Sequence, residues 1–449
     1  TLSSSSAASD VYKRQGLSCA YYLAIDGYDV TVFEKENRLG GMLTLGIPSF
    51  RLEKNVIEAE IDILKELGVK FKTSIEVGRH ITIPELRTQG FEAFYIAIGA
   101  QGGRMLGIEG EDASGVISGV DFLRKINLGE QAEISGTVVV IGGGNVAVDV
   151  ARTAVRTDAV SVAMYCLESE HEMPASADEI EEAREEGITI HNGWGPNRIM
   201  VEDGHVTGVE FAKCTAVFDA NGRFAPQYDE NETMVVKADR VLVSIGQSIL
   251  WGNLLIGLSV DVDRTGTAKA DELTYQTREA DVFVGGDAYT GPKYAIDAIA
   301  AGKQAAISIH RRVWPGQSLT IGRDRRVYTM LDKHGVIMDD YDHTPRQKPN
   351  RTPGDIKANF RDRRHTFTEE QLKKETERCL GCGVSVMDQN VCLGCGVCTT
   401  KCAFDAITLE KKFDAGMVPF EKSAEVIQAY EAERLKRIQE RKERELAQS

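Results

Sequence analysis

Between Gly16 and about Pro315 the apolar positions fall into blocks of two kinds. YDVTVFEK (28–35), FEAFYIAIGA (91–100), TVVVIGGG (137–144), VLVSIGQ (241–247) and DVFVGGD (281–287) are dense β-branched and aromatic runs that stop at glycine or an acid. VIEAEIDILKELG (56–68) instead spaces its apolar residues three and four apart. The first kind reads as buried strands and the second as one face of a helix, so the region predicts parallel sheets covered by helices. From Trp314 to about Thr366 the periodicity stops, and GRDRRVY and YDHTPRQKPNRTPGD read as an irregular connecting arm. The end, EKSAEVIQAYEAERLKRIQERKERELAQS, predicts a charged, solvated helix with a thin apolar stripe of Val426, Ile427, Tyr430, Leu435 and Ile438.

The points where strands stop carry the chemistry. TVVVIGGGNVAVDVAR (137–152) leads a β-branched run into Gly142-x-Gly144-x-x-Ala147 and then directly into a helix. Gly142 permits a tight turn, Gly144 lets backbone approach a pyrophosphate, and a small residue at 147 lets helix and strand pack closely. The helix N-terminus adds free N–H groups and the positive end of a dipole. When Gly16 is placed over Ala147, GLSCAYYLAIDGYDVTVFEKE becomes a second such fingerprint from its third glycine onward. Glu34 then ends the next strand at the expected spacing of about 20 residues, where an acid accepts from ribose hydroxyls.

A third strand ends in Gly285-Gly286-Asp287 and is followed by a helix of small residues. Here the chain resembles the flavoproteins that bind two dinucleotides. NRLGGMLTLGIPSFRL (37–52), GGGNVAVDVAR (142–152), EMPAS with EEAREEG (172–187) and GGDAYTGP (285–292) narrow the resemblance to the glutamate synthase small (beta) subunit and its iron–sulfur NAD(P)H oxidoreductase relatives. The resemblance implies an FAD domain that is discontinuous, with a nicotinamide domain inserted in it. It implies FAD contacts from Gly16, Glu34, Gly41, Leu43, Gly99, Gly286, Asp287 and Ile296. Gly142, Gly144, Asn145, Val146, Ala147, Glu168 and Gly246 would bind NAD(P). One departure stands out. Relatives using NADPH carry Tyr-Arg-Arg after the second strand of the nucleotide domain, whereas this chain reads SVAMYCLESE, with Cys166 and Leu167 in the arginine positions and Glu168 next. A phosphate without arginine, beside a carboxylate, is poorly held. NADH is therefore expected over NADPH.

Cys392-x2-Cys395-x2-Cys398-x3-Cys402 is the ferredoxin run that wraps one 4Fe–4S cluster, with Ala403 where proline usually follows. Zinc is the competing metal, but the two CxxC pairs, Cys379/Cys382 and Cys392/Cys395, lie closer than the roughly 15–20 residues of a zinc ribbon. Upstream, Cys379-Leu-Gly-Cys382-Gly-Val-Ser385 nearly copies the start of the run. Six ligands fall short of the eight that two all-cysteine clusters need, so a second cluster on Cys379 and Cys382 would draw ligands from elsewhere.

Composition sharpens this picture. The chain has 449 residues, 42% hydrophobic, with a net charge of −15, which argues against nucleic acid as a partner. No apolar run approaches a membrane span. Six of the nine cysteines lie between Cys379 and Cys402, which favours a metal site in a reducing, cytoplasmic compartment; Cys19, Cys166 and Cys214 read as buried small hydrophobes.

The fold class expected is α/β: two Rossmann-like domains plus a small C-terminal ferredoxin-like segment. The expected division is FAD domain 16–110 and 255–315, nicotinamide domain 111–254, arm 316–372, iron–sulfur segment 373–412 and terminal helix 413–449. A two-electron donor, FAD and a one-electron cluster together imply an electron-input module that feeds an electron-accepting subunit or ferredoxin-like carrier in a hetero-oligomer. The rivals are a pyridine-nucleotide disulfide reductase, which needs a redox cysteine pair absent between Gly16 and Ile309, and a zinc-binding redox-sensing adaptor.

The residues before Gly16 do not fit. SSAASDVYKRQ (5–15) reads as the in-frame translation of a transposon-type sequencing adapter. Residues 1–15 are thus expected to be an artefactual, disordered leader. The first FAD strand, with its Gly-x-Gly-x-x turn, is expected to be missing.

Overall fold

The computed structural model describes residues 6–11, 14–132, 134–314, 316–323, 344–352, 356, 359–379, 392, 394–401, 407–409 and 422–447. The chain divides into two units, 1–337 with 350–366 and 338–349 with 367–449.

The first unit is built on two parallel five-stranded sheets. One runs β15 (Val282–Val284), β4 (Phe91–Ala97), β1 (Ser6–Val11), β2 (Asp29–Phe33), β3 (Lys70–Lys72). The other runs β6 (Val116–Ser118), β13 (Arg240–Val243), β7 (Ser135–Ile141), β8 (Asp158–Cys166), β9 (Thr189–Asn192). The dense apolar runs are these strands: Phe94 to Ala97 and Val138 to Ile141 are buried throughout, as strands covered on both faces must be.

Helices α1 (Arg14–Ile25), α2 (Met42–Leu45), α3 (Lys54–Glu66), α4 (Ile83–Thr88), α8 (Asp287–Thr290) and α9 (Ala295–Val313) serve the first sheet. α1 and α9 pack closely through small residues such as Ala20, Ala305 and Ala306, and Ser18 Oγ donates to the Ile299 carbonyl at 2.9 Å. α5 (Gly119–Leu128), α6 (Asn145–Val155) and α7 (Ala177–Glu185) serve the second. An antiparallel meander, β10 (Trp194–Glu202), β11 (His205–Phe218) and β12 (Phe224–Lys237), packs Val209 and Phe211 against Val139 and Ile141. The second unit contains α10 (Glu369–Glu377), α11 (Val397–Lys401) and α12 (Ser423–Ala447), the expected charged helix, with Ile427 and Leu435 exposed. No helix among the described residues is long and apolar enough to cross a membrane.

Three expectations need correction. Ser6–Val11 is not a disordered leader: it fills the slot between β2 and β4, with Ser6 opposite Asp29 and Val11 opposite Ala97. The inner edges of β2 and β4 would otherwise bury unpaired N–H and C=O groups, and backbone pairing makes little demand on side chains. Secondly, the two domain crossovers pair with each other as a short antiparallel ladder, β5 (Gly102–Gly103) with β14 (Gln247–Ser248). The domain border lies there, so Leu106 and Ile108 pack into the nicotinamide domain and Leu254 into the FAD domain. Thirdly, the 316–372 arm is not one piece, because 350–366 goes with the first unit and 367 onward with the second.

Candidate dinucleotide and metal sites

Parallel strands place their carboxyl ends on one edge of a sheet, where α/β folds bind ligands. In the first sheet that edge collects Glu34 after β2, Gly99 after β4 and Gly286-Asp287 after β15. Glu34 is fully buried, and its Oε1 accepts the Glu36 N–H at 2.9 Å. Gly41 (φ 53°, ψ −134°) and Gly286 (φ 54°, ψ −143°) adopt nearly the same backbone conformation, each capping a four-residue helix. Only glycine occupies that region readily, and both buried turns therefore present backbone without a side chain at the sheet edge. Asp287 is 1% exposed, and its Oδ1 accepts from Lys293 N at 3.4 Å. Leu43 is buried in α2, whereas Ile296, in the first turn of α9, is exposed. Gly16 is buried within α1. Buried Glu34 and Asp287, with the glycine turns at this edge, fit the ribose and flavin ends of an FAD. Counted back from Gly16, however, the first two glycine positions of the turn hold Val11 and Lys13; Lys13 lies outside the described residues.

The second sheet builds its turn completely. Gly142 follows β7 at φ 142°, and a Cβ there would run into the Ser244 carbonyl oxygen at the end of β13. A Cβ at Gly143 would lie 2.6 Å from Glu168 Oε2, and one at Gly144 would meet nothing. The turn is therefore a backbone cradle, open at Gly144, with the Glu168 carboxylate over its middle glycine. α6 starts at Asn145, whose Oδ1 accepts the Ser176 N–H at 2.9 Å, and Ala147 is fully buried against the turn. Val146 lies on the partly buried side of the same turn, and Gly246 (φ 127°) follows β13. These features fit a dinucleotide pyrophosphate and ribose.

Two residues after β8, Glu168 has its carboxyl pushed up by burial, with Glu172 adding to the rise. Its carbonyl is held by Gly193 N at 3.1 Å and Asn192 Nδ2 at 3.2 Å. Neither residue in the arginine positions offers a cation. Cys166 is 2% exposed with its thiol pushed up to about 12 by burial, and Leu167 packs beside Gly195. The sequence reading missed Lys213 on β11, whose Nζ sits 4.7 Å over the Trp194 ring and 3.6 Å from where a Gly193 Cβ would stand. A cation 45 positions beyond Glu168 leaves no spacing signature. Cys19 and Cys214 are buried too, and burial raises both thiols, as expected of small core hydrophobes.

In the second unit Cys379, Cys392, Cys395 and Cys398 are exposed, while Cys382 and Cys402 lie outside the described residues. Gly394 (φ 66°) and Gly396 (φ 78°) take left-handed conformations, and Gly394 N–H points at Cys392 Sγ at 3.4 Å. Among the described residues no three metal-binding side chains converge.

Residues 16–302 match the family described as pyridine nucleotide-disulphide oxidoreductase. The chain is 35% identical over 381 residues to the NADP(+)-dependent formate dehydrogenase subunit beta of Moorella thermoacetica, covering 82% of this chain and 53% of that protein. It is 31% identical over 402 residues to the NADPH-Fe(3+) oxidoreductase subunit beta of Geobacter sulfurreducens, covering 82% and 60%. With the glutamate synthase (NADPH) small chain of Azospirillum brasilense it shares 34% identity over 309 residues, covering 66% and 64%. The chain thus spans between about half and two thirds of the length of these relatives. In fold it is similar to Mycobacterium tuberculosis FprA (TM-score 0.60, 18% identity, 69% of this chain and 85% of that one). It is also similar to T. acidophilum thioredoxin reductase (TM-score 0.51, 19% identity, 68% and 97%).

Proposed function

Because the chain belongs to the pyridine nucleotide-disulphide oxidoreductase family, and to its glutamate synthase small-chain-like oxidoreductases, we propose that it is an electron-input subunit that oxidises NADH. The observation that carries this reading is the Glu168 carboxylate lying over Gly143, where an NADPH site needs cations. Glu168 accepts from the adenosine ribose hydroxyls, and the Gly142–Gly144 backbone with the N-terminus of α6 holds the pyrophosphate. On the other sheet Glu34 accepts from a ribose, and Asp287 with the bare backbone at Gly41 and Gly286 lines the flavin end. Bound FAD supplies the conversion of a two-electron hydride into single electrons. Cys392, Cys395, Cys398 and Cys402 are the ligands of one 4Fe–4S cluster, and the acceptor is a partner protein. The relatives are all named for NADPH or NADP(+), so the NADH reading rests on this chain's Glu168 loop and not on them.

The test is anaerobic absorbance and EPR spectroscopy of the flavin-loaded protein, with NADH and NADPH added separately and iron, sulfide, zinc and flavin counted. Flavin bleaching by NADH at lower concentration than by NADPH, with a reduced-cluster EPR signal, is expected. Bleaching by NADPH alone removes the preference, and zinc without sulfide removes the cluster.

A further inference from the structure

Away from both turns, the segment joining α2 to α3 reaches from the flavin domain into the nicotinamide domain. Arg51 Nη1 donates to Asp149 Oδ2 on α6 at 2.6 Å, and Nη2 pairs with Glu179 on α7. These side chains are 26%, 7% and 14% exposed, so the guanidinium bridges two helices largely out of water. Beside it Phe50 is 4% exposed, with the guanidinium carbons of Arg152 and Arg156 at 4.7 and 4.1 Å from its ring centroid. Those arginines are in turn fixed by Glu186, at 2.8 Å from Arg152 and 2.6 Å from Arg156.

Described residues of the 350–366 stretch meet the same place. Arg364 Nη2 donates to the Arg51 carbonyl at 3.4 Å, Arg361 pairs with Glu53 at 3.4 Å, and Arg156 Nε donates to the Asn359 carbonyl at 3.1 Å. Other links between the domains, such as Asn127 Nδ2 to the Leu45 carbonyl at 2.9 Å, involve α5.

As a stability device the arrangement is poor. A desolvated ion pair is often no better than an apolar contact of the same volume, and Asp149 Oδ1 and Glu179 Oε2 both lack a hydrogen-bond partner. What an arginine fork does well is fix direction, because its planar donors meet two carboxylates in one geometry. The two ends of this fork matter. α6 is the helix that opens on the nicotinamide cradle. The segment carrying Arg51 continues from the Gly41–Leu45 turn, whose Leu43 carbonyl accepts from Lys54 Nζ at 3.0 Å. Domain interfaces within one chain otherwise permit relative motion, and hydride transfer needs reacting atoms about 3–3.5 Å apart.

We infer that Phe50 and Arg51 are positioning residues that clamp the nicotinamide-domain helix α6 to the flavin-side turn and so fix the approach of the two cofactors. The clamp rests on the proposed hydride transfer, but its mechanical half is measurable without it. Hydrogen exchange of the full chain without cofactors reads the interface, and stopped-flow reduction of the flavin-loaded protein reads the chemistry.

In Arg51→Gln, exchange should rise about tenfold in peptides 46–54 and 145–155 together, while β7 and β2 stay protected. Flavin reduction should slow about tenfold or more at saturating NADH, with the NADH dissociation constant changed less than about twofold. Arg51→Lys, which keeps charge but loses the fork, should fall between; it and Phe50→Leu serve if Arg51→Gln does not fold. Unchanged exchange at both peptides overturns the clamp. So does a change in NADH affinity with an unchanged reduction rate. If the parent chain shows no flavin reduction, the functional reading fails, and the exchange result alone decides the clamp.

Discussion

Both parallel sheets of this chain have a strand followed in sequence by a dinucleotide fingerprint, yet only the one at Gly142 has its glycines. The nicotinamide turn has Gly142, Gly144 and Ala147, and each is needed for a separate reason: a left-handed φ beside the Ser244 carbonyl, an open backbone, and a helix packed at full burial. The flavin turn has Val11, Lys13 and Gly16 at the matching positions. The strand in front of it nonetheless forms, paired on both sides. A central strand is specified by the hydrogen-bonding edges of its neighbours, whereas a phosphate cradle is specified by the absence of side chains. One sheet slot therefore accepts a sequence that the adjoining cofactor site does not.

The largest effect should come from breaking the intact turn. Gly142→Val places a branched side chain against the Ser244 carbonyl in a conformation valine does not adopt, and should weaken NADH binding about 100-fold or more, roughly 3 kcal/mol. Isothermal titration of the variant checks this; retained affinity would mean the cradle lies elsewhere. Mending the deficient turn is the converse. Val11→Gly with Lys13→Gly should tighten FAD binding on the order of tenfold, read by flavin fluorescence and by the flavin-to-protein ratio after reconstitution. Unchanged affinity would show that the ribose and flavin ends, with Glu34 and Asp287, already dominate binding.

The same contrast explains how far the sequence could be read. The placement of Gly142 to Ala147, Glu34 and Gly286-Asp287 was legible because each is tied to its neighbours by local geometry: a strand end, a tight turn, a helix start. Ser6–Val11 was not, because its strand is imposed by β2 and β4 and its own residues carry no apolar pattern. The domain border at the β5–β14 ladder lies away from the expected 110/111 and 254/255 for a related reason, since two-residue strands pairing Gly103 with Gln247 have no periodicity. Arg51 and Asp149 stand 98 positions apart, and Lys213 meets the Glu168 loop only through the meander. Contacts of that kind are made by topology, and their residues look like ordinary surface charges in the sequence.

The smallest expected effect lies at Glu168, beside the middle glycine of the intact turn. Burial holds its carboxyl above the ordinary glutamate value, so ionisation is lost as pH falls through that raised pKa, earlier than for an exposed glutamate. The ionised carboxylate is the better acceptor for ribose hydroxyls, and NADH binding should therefore weaken by a few-fold on the acid side of neutrality. Glu168→Gln should abolish that pH dependence and cost NADH about five- to tenfold in affinity, about 1 kcal/mol, the net worth of one ordinary hydrogen bond, because the amide keeps one acceptor oxygen. NADPH should lose little or gain, because the variant removes a negative charge from beside the 2′-phosphate while Lys213 stays close to the same loop. Parallel titrations of both nucleotides between about pH 5 and 8 separate the outcomes. Equal losses for the two would place the ribose hydroxyls away from Glu168, and an NADPH preference in the parent chain would assign the phosphate to Lys213.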